Sequence, residues 1–130
     1  MKVRLYKKND EKGIIKLDSL LEIHPWNRRN KKNWFWKYKG SNPFGKSIIV
    51  VAEDKKKIIA TFSIIPINYK FNNKLVKGSH SIAMLVHPSW QKKGVIKLVV
   101  DKAIYFAKKN KIKFIYGYPN ENAYEIHKLI

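Results

Sequence analysis

The apolar positions of this 130-residue chain follow two different periods. Apolar residues that alternate or run together over a few positions predict strands, and those that recur every three to four positions predict helices. The shorter period predicts strands at residues 3–6, 47–52, 58–69, 75–86 and 111–118. The longer period predicts a helix from about residue 9 to residue 22 and another from Gly94 to about Asn110. The apolar face of the second helix holds Ile96, Val99, Val100, Ala103, Phe106 and Ala107.

The connections between these elements predict the fold class. Short turns at residues 53–57 and 71–74 join three consecutive strands into an antiparallel meander. Pro66 predicts a bend or an edge position, and Lys77-Gly78 predicts an interruption of the third meander strand. The long helix joins the last two strands, and a strand–helix–strand connection of this length predicts parallel pairing. The chain is therefore expected to form one α/β domain, a mixed twisted sheet of about five strands with helices on both faces.

Residues 34–38 form a cluster of aromatic residues, Trp34-Phe35-Trp36-Lys37-Tyr38. Their spacing favours a short helix that packs Trp34, Phe35 and Tyr38 on the sheet. The alternative is that aromatic rings next to lysines stack on nucleic-acid bases or line a substrate pocket. Under this alternative, Trp36 is the candidate for contact with the substrate.

The composition adds a strong positive charge, since 28 Lys and Arg residues against 9 Asp and Glu residues give a formal net charge of +19. A polyanionic partner would explain this charge, but only Arg4, Arg28 and Arg29 are arginines and the lysines are spread from end to end. Because arginine is the better bidentate reader of phosphate and guanine, a solvated lysine-rich surface is the favoured interpretation over nucleic-acid binding. The charge would still favour a phosphate-rich ligand.

Several classes of site and location are excluded or disfavoured by the sequence. The chain has no cysteine, so it has no disulfide, thiolate metal site or cysteine nucleophile. Its histidines show no metal-ligand spacing, and no metal is expected. The start of the chain lacks the apolar core of a signal peptide and no apolar run approaches a membrane span, which predicts a cytoplasmic protein without membrane contact. His80, on the third meander strand, could serve as a base.

The stretch from Ser79 to Asn110 combines a strand, a basic turn and a helix in an order suited to anion binding. The first N–H groups of a helix have no partner within the helix, and they carry the positive end of its dipole. A phosphate group is therefore expected at the start of this helix. Lys92, Lys93 and Lys97 cluster there, and phosphate binding is favoured over simple solvation for these three lysines.

Val86-His87-Pro88 followed by Gln91-x-x-Gly94 resembles the acetyl-coenzyme A loop of the GNAT acyltransferase superfamily. The family usually has Gly or Ala where this chain has Ile96. The resemblance implies that acetyl-CoA is the cosubstrate and that backbone groups of Leu85 and Val86 pair with its pantetheine arm. It also implies that the pyrophosphate lies against the loop and the first helical turn, formed by Gln91, Lys92, Lys93, Gly94, Val95, Ile96 and Lys97.

A second segment, Asn120-x-x-Ala123, resembles the family motif Asn-x-x-Ala-x-x-x-Tyr. The resemblance implies that Asn120 contacts the cofactor and that a residue one helical turn or two further on protonates the departing thiolate. His127 occupies the usual tyrosine position, and Tyr124 is the nearest tyrosine. Both are candidate catalytic residues, although a histidine near the end of a chain is more often a plain surface residue.

Two departures from the family pattern concern the base and the end of the sheet. Residues 79–87 contain no Asp or Glu, so no carboxylate base is evident on the strand before the loop. The family usually continues with a final strand pair beyond the point where this sequence stops. The domain spanning residues 1–130 is therefore expected to be incomplete at its C-terminal end, with a sheet edge open to a second copy or another partner.

The resemblance implies an N-acetyltransferase in which a small-molecule or peptide amine attacks the thioester directly. A non-catalytic CoA-binding or interaction module is the first alternative, supported by the missing base and the missing strands. A basic nucleic-acid-binding domain is the second alternative. The residues name no particular acceptor.

Overall fold

The computed structural model describes residues 1–21 and 30–127, with the backbone alone at residues 122, 126 and 127. The predicted end of the first helix near residue 22, and the two arginines at residues 28 and 29, lie outside these residues. In chain order the elements are β1 (Lys2–Leu5), α1 (Asp10–Leu21), α2 (Lys31–Lys39), β2 (Ile48–Asp54), β3 (Lys57–Phe71), β4 (Lys74–Val86), a 3-10 turn (Pro88–Trp90), α3 (Val95–Lys109), β5 (Ile115–Tyr116) and α4 (Glu121–His127).

The strands form one five-stranded sheet in the order β1-β2-β3-β4-β5. The first three pairings are antiparallel, and β4 and β5 are parallel. The predicted meander and the parallel crossover through a helix are thus confirmed. Pro66 lies on β3 beyond Ile64, the last residue that pairs with β2, so its missing N–H removes no bond on that side.

Two predicted features of the strands are wrong. The strand expected over residues 111–118 is reduced to Ile115–Tyr116, because regular pairing with β4 is confined to two residue pairs. Strand β4 continues without interruption through Gly78. A Cβ atom at Gly78 would lie 2.6 Å from the Phe114 ring and 2.7 Å from the Tyr69 ring. Glycine therefore makes room for aromatic packing within the strand and does not end it.

Apolar residues pack on both faces of the sheet, as the sequence predicted. One face packs against α3, whose buried residues Val95, Val99, Val100, Ala103 and Ala107 all belong to this core. The spacing of these positions on α3 follows the 3.6-residue period of a helix with one apolar face. The opposite face packs against α1 and α2 through Ile14, Trp34, Tyr38, Ile49 and Val51.

Helix α2 buries Trp34 and Tyr38 and leaves Trp36 81% exposed. The packing interpretation of the aromatic cluster is therefore confirmed for the two buried rings. The amino end of α2 is held by Lys31, whose Nζ lies 3.7 Å from the carboxylate of the buried Glu11.

Strand β1 is tied to α1 by a partly buried ion network centred on Arg4. The guanidinium donates to Asp10 at 2.6 and 3.0 Å and to Glu53 through Nε at 2.9 Å. The backbone N–H of Lys7 donates to the same Asp10 carboxylate at 2.7 Å. Glu53, near the end of β2, is therefore one of the two carboxylates that hold Arg4 in place.

Candidate cofactor and active site

Strands β4 and β5 form a fork that opens toward their carboxyl ends. They pair only at Ser79 with Ile115 and at His80 with Tyr116. Beyond His80, within the described residues, no strand pairs with β4 on the side that faces β5. Backbone N–H and C=O groups on the open side of residues 81–86 are therefore available to a ligand with amide groups of its own.

A β-bulge on β4 marks the middle of this open stretch. The register with β3 shifts between Thr61 and Ser63, so that Ala83 and Met84 together lie opposite Phe62. Ala83 takes a left-handed conformation with φ of 53°. A bulge bends its strand and increases the local twist, which turns the end of β4 away from β5 and widens the fork. No local pattern in the sequence indicates this bulge.

The backbone of Val86 points into the fork. The N–H of His87 donates to Ile59 on β3 at 2.8 Å. Because backbone groups alternate in direction along a strand, those of Val86 point away from β3, and those of Leu85 point toward it. The amide of Gln91 lies 3.4 Å from the Val86 carbonyl oxygen. Leu85 itself is buried and pairs with Thr61.

The loop after β4 leads into α3 through Gly94. His87 caps the 3-10 turn by accepting a hydrogen bond from the N–H of Ser89 through Nδ1 at 3.2 Å. Gly94 is the N-cap of α3, with φ of 73° and no side chain to cap the helix. A Cβ atom built on Gly94 would meet nothing within 4 Å. The space beside Gly94 is therefore open, and an anion could approach the start of α3 from there.

The departure at Ile96 does not block this helix start. The Ile96 side chain is half-buried and packs against the core beneath α3. It therefore points away from the exposed N–H groups of the first turn. The side chain of Val95 is fully within the same core.

The three lysines of the loop and first turn are all exposed, as expected for phosphate ligands. Lys93 places its Nζ 5.6 Å from the centre of the Trp90 ring. Lys97 forms an ion pair with Asp101 at 2.8 Å, one helical turn further on. Asp101 therefore offsets part of the positive charge of Lys97, while Lys92 and Lys93 add theirs to the helix dipole.

A cavity of about 360 Å³ extends from the fork along the face of the sheet that carries α3. Its lining is mainly apolar and includes Phe62, Met84, Ile104, Ile115 and Gly117. An apolar cleft with few polar groups is typical of a small-molecule site. Ser81 and Met84 contribute to its lining, so the cavity lies beside β4.

The carboxyl-terminal candidates lie on and before the short helix α4. The Asn120 side chain caps this helix, its Oδ1 accepting from the N–H of Ala123 at 2.9 Å. Tyr124 is 53% exposed in the first turn. The backbone of His127 ends the helix, and its side chain lies outside the described part of the structure. The roles of these three residues stay predictions.

His80, which the sequence offers as a candidate base, lies at the point where the fork begins. Its ring stacks on Tyr116 with a centroid distance of 4.9 Å and an interplanar angle of 5°. Burial lowers the pKa of His80 below its ordinary value, and the positive charge of Lys37 on α2 lowers it further. At neutral pH this imidazole is therefore uncharged and able to accept a proton.

Among the described side chains of residues 1–21 and 30–127, no three His, Asp or Glu come together as metal ligands would. No helix in the same ranges is long and apolar enough to cross a bilayer.

The sequence profile of the family described as "Acetyltransferase (GNAT) domain" matches residues 2–127. Because this match spans nearly the whole chain, the protein belongs to the GNAT acetyltransferase family. The chemistry of this family is acyl transfer. No curated protein sequence matches the chain significantly.

Solved structures with the same fold include three acetyltransferases. A predicted acetyltransferase from Clostridium acetobutylicum, solved with acetyl-CoA, has a TM-score of 0.80 at 20% identity, covering 98% of this chain and 86% of that one. Glucosamine-6-phosphate N-acetyltransferase from Arabidopsis thaliana has a TM-score of 0.76 at 19% identity, covering 98% and 88%. A GNAT family acetyltransferase from Staphylococcus aureus has a TM-score of 0.69 at 21% identity, covering 92% and 87%. At these identities the likeness establishes the mixed five-stranded fold.

Proposed function

We propose that this protein is an acetyl-CoA-dependent N-acetyltransferase whose acceptor amine attacks the thioester directly. The observation that carries the proposal is the continuous path from the start of α3, at Gly94, along the open edge of β4 into the fork. An anion at the helix start and an amide-containing arm along the strand edge would use the two ends of this path. Both ends offer backbone groups that have lost their usual partners.

The protein contributes chiefly binding and orientation in this mechanism. The loop residues from Gln91 to Lys97 hold the pyrophosphate, and Val86 aligns the pantetheine arm beside the apolar cavity. Holding the amine next to the thioester makes the reaction effectively unimolecular. The amine nitrogen bonds to the acetyl carbonyl carbon, the carbon–sulfur bond breaks, one proton leaves the nitrogen and one proton reaches the thiolate. Asn120 completes the cofactor site from the α4 side.

The first experiment is calorimetric titration of the purified chain with acetyl-CoA, followed by a screen of small-molecule and peptide amines for acetylation. Saturable binding with transfer to an amine is the expected result. Binding without transfer would favour a non-catalytic CoA-binding module, the alternative that the carboxylate-free stretch of β4 supports. The absence of binding by the folded chain would contradict the proposal, and salt-sensitive binding of nucleic acid would then be tested.

The proton donor to the thiolate is tested by two variants, Tyr124→Phe and His127→Gln. Loss of the true donor is expected to lower kcat about 100-fold, within the range for general acid–base catalysis, with acetyl-CoA affinity unchanged. Steady-state kinetics with the acceptor found in the screen, together with calorimetry, measures both quantities. Equal kcat in both variants and the wild type would show that neither residue protonates the thiolate.

The outer edge of β5 is where a partner that completes the sheet is expected to bind. Within the described residues β5 pairs on one side only. We infer that a second copy of the protein or another partner covers the other side. Size-exclusion chromatography with light scattering shows whether the protein forms a dimer on its own.

A further inference from the structure

We propose that the protein docks on an anionic lipid surface through its hairpin end, formed by residues 67–77 of β3 and β4 with residues 111–113 beside them. Phe71 and Leu75 enter the interface between headgroups and acyl chains, and the lysines around them lie against the negatively charged headgroups. The inference goes beyond the proposed acyl transfer and does not depend on it. It draws on the reach of the hairpin, the side chains at its tip and the charge of the segments that meet there.

The two strands of the hairpin extend beyond the other strands of the sheet, within the described part of the chain. The pairing of β3 with β2 ends at Ile64, and the regular pairing of β4 with β5 starts only at Ser79. Between these limits β3 and β4 pair with each other as far as Phe71 with Lys74. Residues 67–71 of β3 cover on the order of 15 Å. The outer part of the hairpin is therefore a two-stranded ribbon that projects from the domain.

The base of this ribbon is supported by aromatic packing and by a backbone hydrogen bond. The ring centroids of Tyr69 and Phe114 lie 4.7 Å apart, and both rings lie where a Cβ atom on Gly78 would be. The N–H of Lys113 donates to the carbonyl oxygen of Lys77 at 2.8 Å. The tip is therefore carried by a packed ribbon and not by an irregular loop.

The tip of the hairpin carries two large apolar side chains that the rest of the protein leaves in water. Phe71 is 69% exposed and Leu75 is 75% exposed. Because Phe71 pairs with Lys74 and Leu75 pairs with Lys70, each face of the ribbon ends in one apolar residue and one lysine. Apolar side chains combined with lysines are typical of segments that enter the interface of an anionic membrane.

The segments that meet at the hairpin end carry lysines and no carboxylate side chain. Residues 40–47, 55–100 and 102–120 contain no Asp or Glu. The lysines of the hairpin end are Lys70, Lys74, Lys77, Lys111 and Lys113. All of them are exposed except Lys77, which is half-buried. Since lysines near an anionic lipid surface each add to binding, this end of the domain is complementary in charge to such a surface.

The shape and composition of the tip fit a lipid surface better than a nucleic acid. Proteins that bind single strands stack successive bases on aromatic rings along a groove. The hairpin tip is convex, and Leu75 has no ring on which a base could stack. The cations of the hairpin end are all lysines, which are weaker bidentate readers of phosphate than arginines. Lysines on exposed strands also prevent strand pairing between molecules, but that role does not require Phe71 and Leu75 at the tip.

The hairpin end lies far from the expected acetyl-CoA site. Strand β4 runs from Lys74 at the tip to Val86 beside the cofactor loop, a length on the order of 40 Å. Docking through the tip would therefore leave the cofactor loop open to solvent. The prediction of no membrane contact was based on the lack of a spanning segment and a signal peptide, and binding at the surface of a bilayer requires neither.

The charge requirement is tested by sedimentation of the full chain with vesicles of equal parts phosphatidylglycerol and phosphatidylcholine. Binding to phosphatidylcholine alone should be far weaker. Lys70→Gln combined with Lys74→Gln is expected to weaken binding to the anionic vesicles about 25-fold, at about fivefold for each lysine. Lys55→Gln combined with Lys56→Gln removes the same charge from the turn at the other end of β3 and is the matched control. This control should stay within about threefold of the wild type.

Insertion of the tip is tested with fluorescent labels, since the chain has no cysteine of its own. Leu75→Cys and Lys56→Cys each accept a single environment-sensitive fluorophore. On anionic vesicles the emission from residue 75 is expected to shift to shorter wavelength, and the emission from residue 56 to stay unchanged. Phe71→Ser should weaken vesicle binding about 10-fold through loss of buried apolar area. Its melting temperature should stay close to that of the wild type, because Phe71 is exposed.

Equal losses of vesicle affinity in the two lysine double variants would show that net charge alone binds lipid, and would overturn the inference. An unshifted emission from residue 75 in the vesicle-bound protein would overturn it too, as would absence of binding to anionic vesicles. Salt-sensitive binding of single-stranded RNA without vesicle binding would assign the hairpin end to nucleic acid instead. Calorimetry should show unaltered acetyl-CoA binding in all these variants, so failure of the lipid inference and failure of the proposed function are distinguishable.

Discussion

Replacement of Gly94 by Glu is expected to weaken acetyl-CoA binding about 1,000-fold. The variant places a carboxylate at the start of α3, where the cofactor pyrophosphate is expected. Juxtaposition of like charges at an interface costs several kcal/mol, and about 4 kcal/mol corresponds to this loss of affinity. The free protein has room for the new side chain, since a Cβ atom at Gly94 meets nothing within 4 Å. The loss should therefore appear in binding far more than in folding.

The charge and the bulk of the new residue are separated by a matched variant, Gly94→Gln. Both residues incur the same backbone penalty of about 1 kcal/mol, because Gly94 has φ of 73°. Gly94→Gln should retain substantially more affinity than Gly94→Glu. Calorimetry measures both affinities, and thermal unfolding confirms that both variants fold. Wild-type affinity in Gly94→Glu would place the pyrophosphate elsewhere.

Replacement of Arg4 by Met is expected to lower the free energy of unfolding by about 2 kcal/mol, less than for loss of one partner from a fully buried ion pair, because the network is only partly buried. The Arg4 guanidinium bridges Asp10 at the start of α1 and Glu53 near the end of β2. Without it, two carboxylates that are partly removed from water lose their positive partner. Urea unfolding followed by circular dichroism measures the change, and an unaltered m-value would show that the unfolded state is the same.

The effect of Arg4→Met should depend on pH with a definite sign. Burial raises the pKa of Asp10, but the hydrogen bond and charge of Arg4 outweigh it, so the pKa is lowered overall. The pKa of Glu53 is lowered chiefly by its hydrogen bond to Arg4. Groups with a lowered pKa in the folded state stabilise it above their unfolded pKa, and this contribution is lost as pH falls through the folded pKa. The difference between wild type and variant should therefore shrink below about pH 4.

Lys8→Met is the control for the loss of a positive charge from this highly basic chain. Lys8 is exposed in the connection between β1 and α1. Its replacement should change stability by no more than about 0.5 kcal/mol, as is usual for surface positions. Equal destabilisation by Lys8→Met and Arg4→Met would contradict a specific role for the Arg4 network.

Local patterns predicted the order of the elements and the apolar faces well. The α3 positions Val99, Val100 and Ala103 recur at helical spacing. Gly94, which takes a left-handed conformation, directly precedes the helix. Such signals depend on neighbours in sequence. The length of β5 was overestimated because the strand-like composition of residues 111–118 does not show where pairing with β4 stops, and regular pairing is confined to Ile115 and Tyr116.

The features of the site that escaped prediction depend on contacts between distant parts of the chain. Ala83 is an ordinary strand residue in sequence, and its left-handed φ follows from the way β4 bends past β3. The influence of Lys37 on His80 requires α2 to lie over β4, which no local pattern encodes. The fork itself exists only because pairing stops after two residues, a property of the assembled sheet.

The brief pairing of β5 makes it the least cooperative part of the sheet. Near the fork it is joined to β4 by the N–H of Ser79 donating to Phe114 at 3.0 Å and the N–H of Lys113 donating to Lys77 at 2.8 Å. A segment with few such bonds opens locally at a lower free energy than the long meander. A ligand that contacts both β4 and β5 binds only the form in which the two strands are paired. Part of its binding free energy is therefore used to keep β5 paired with β4. Cofactor occupancy and the order of this strand are therefore thermodynamically linked.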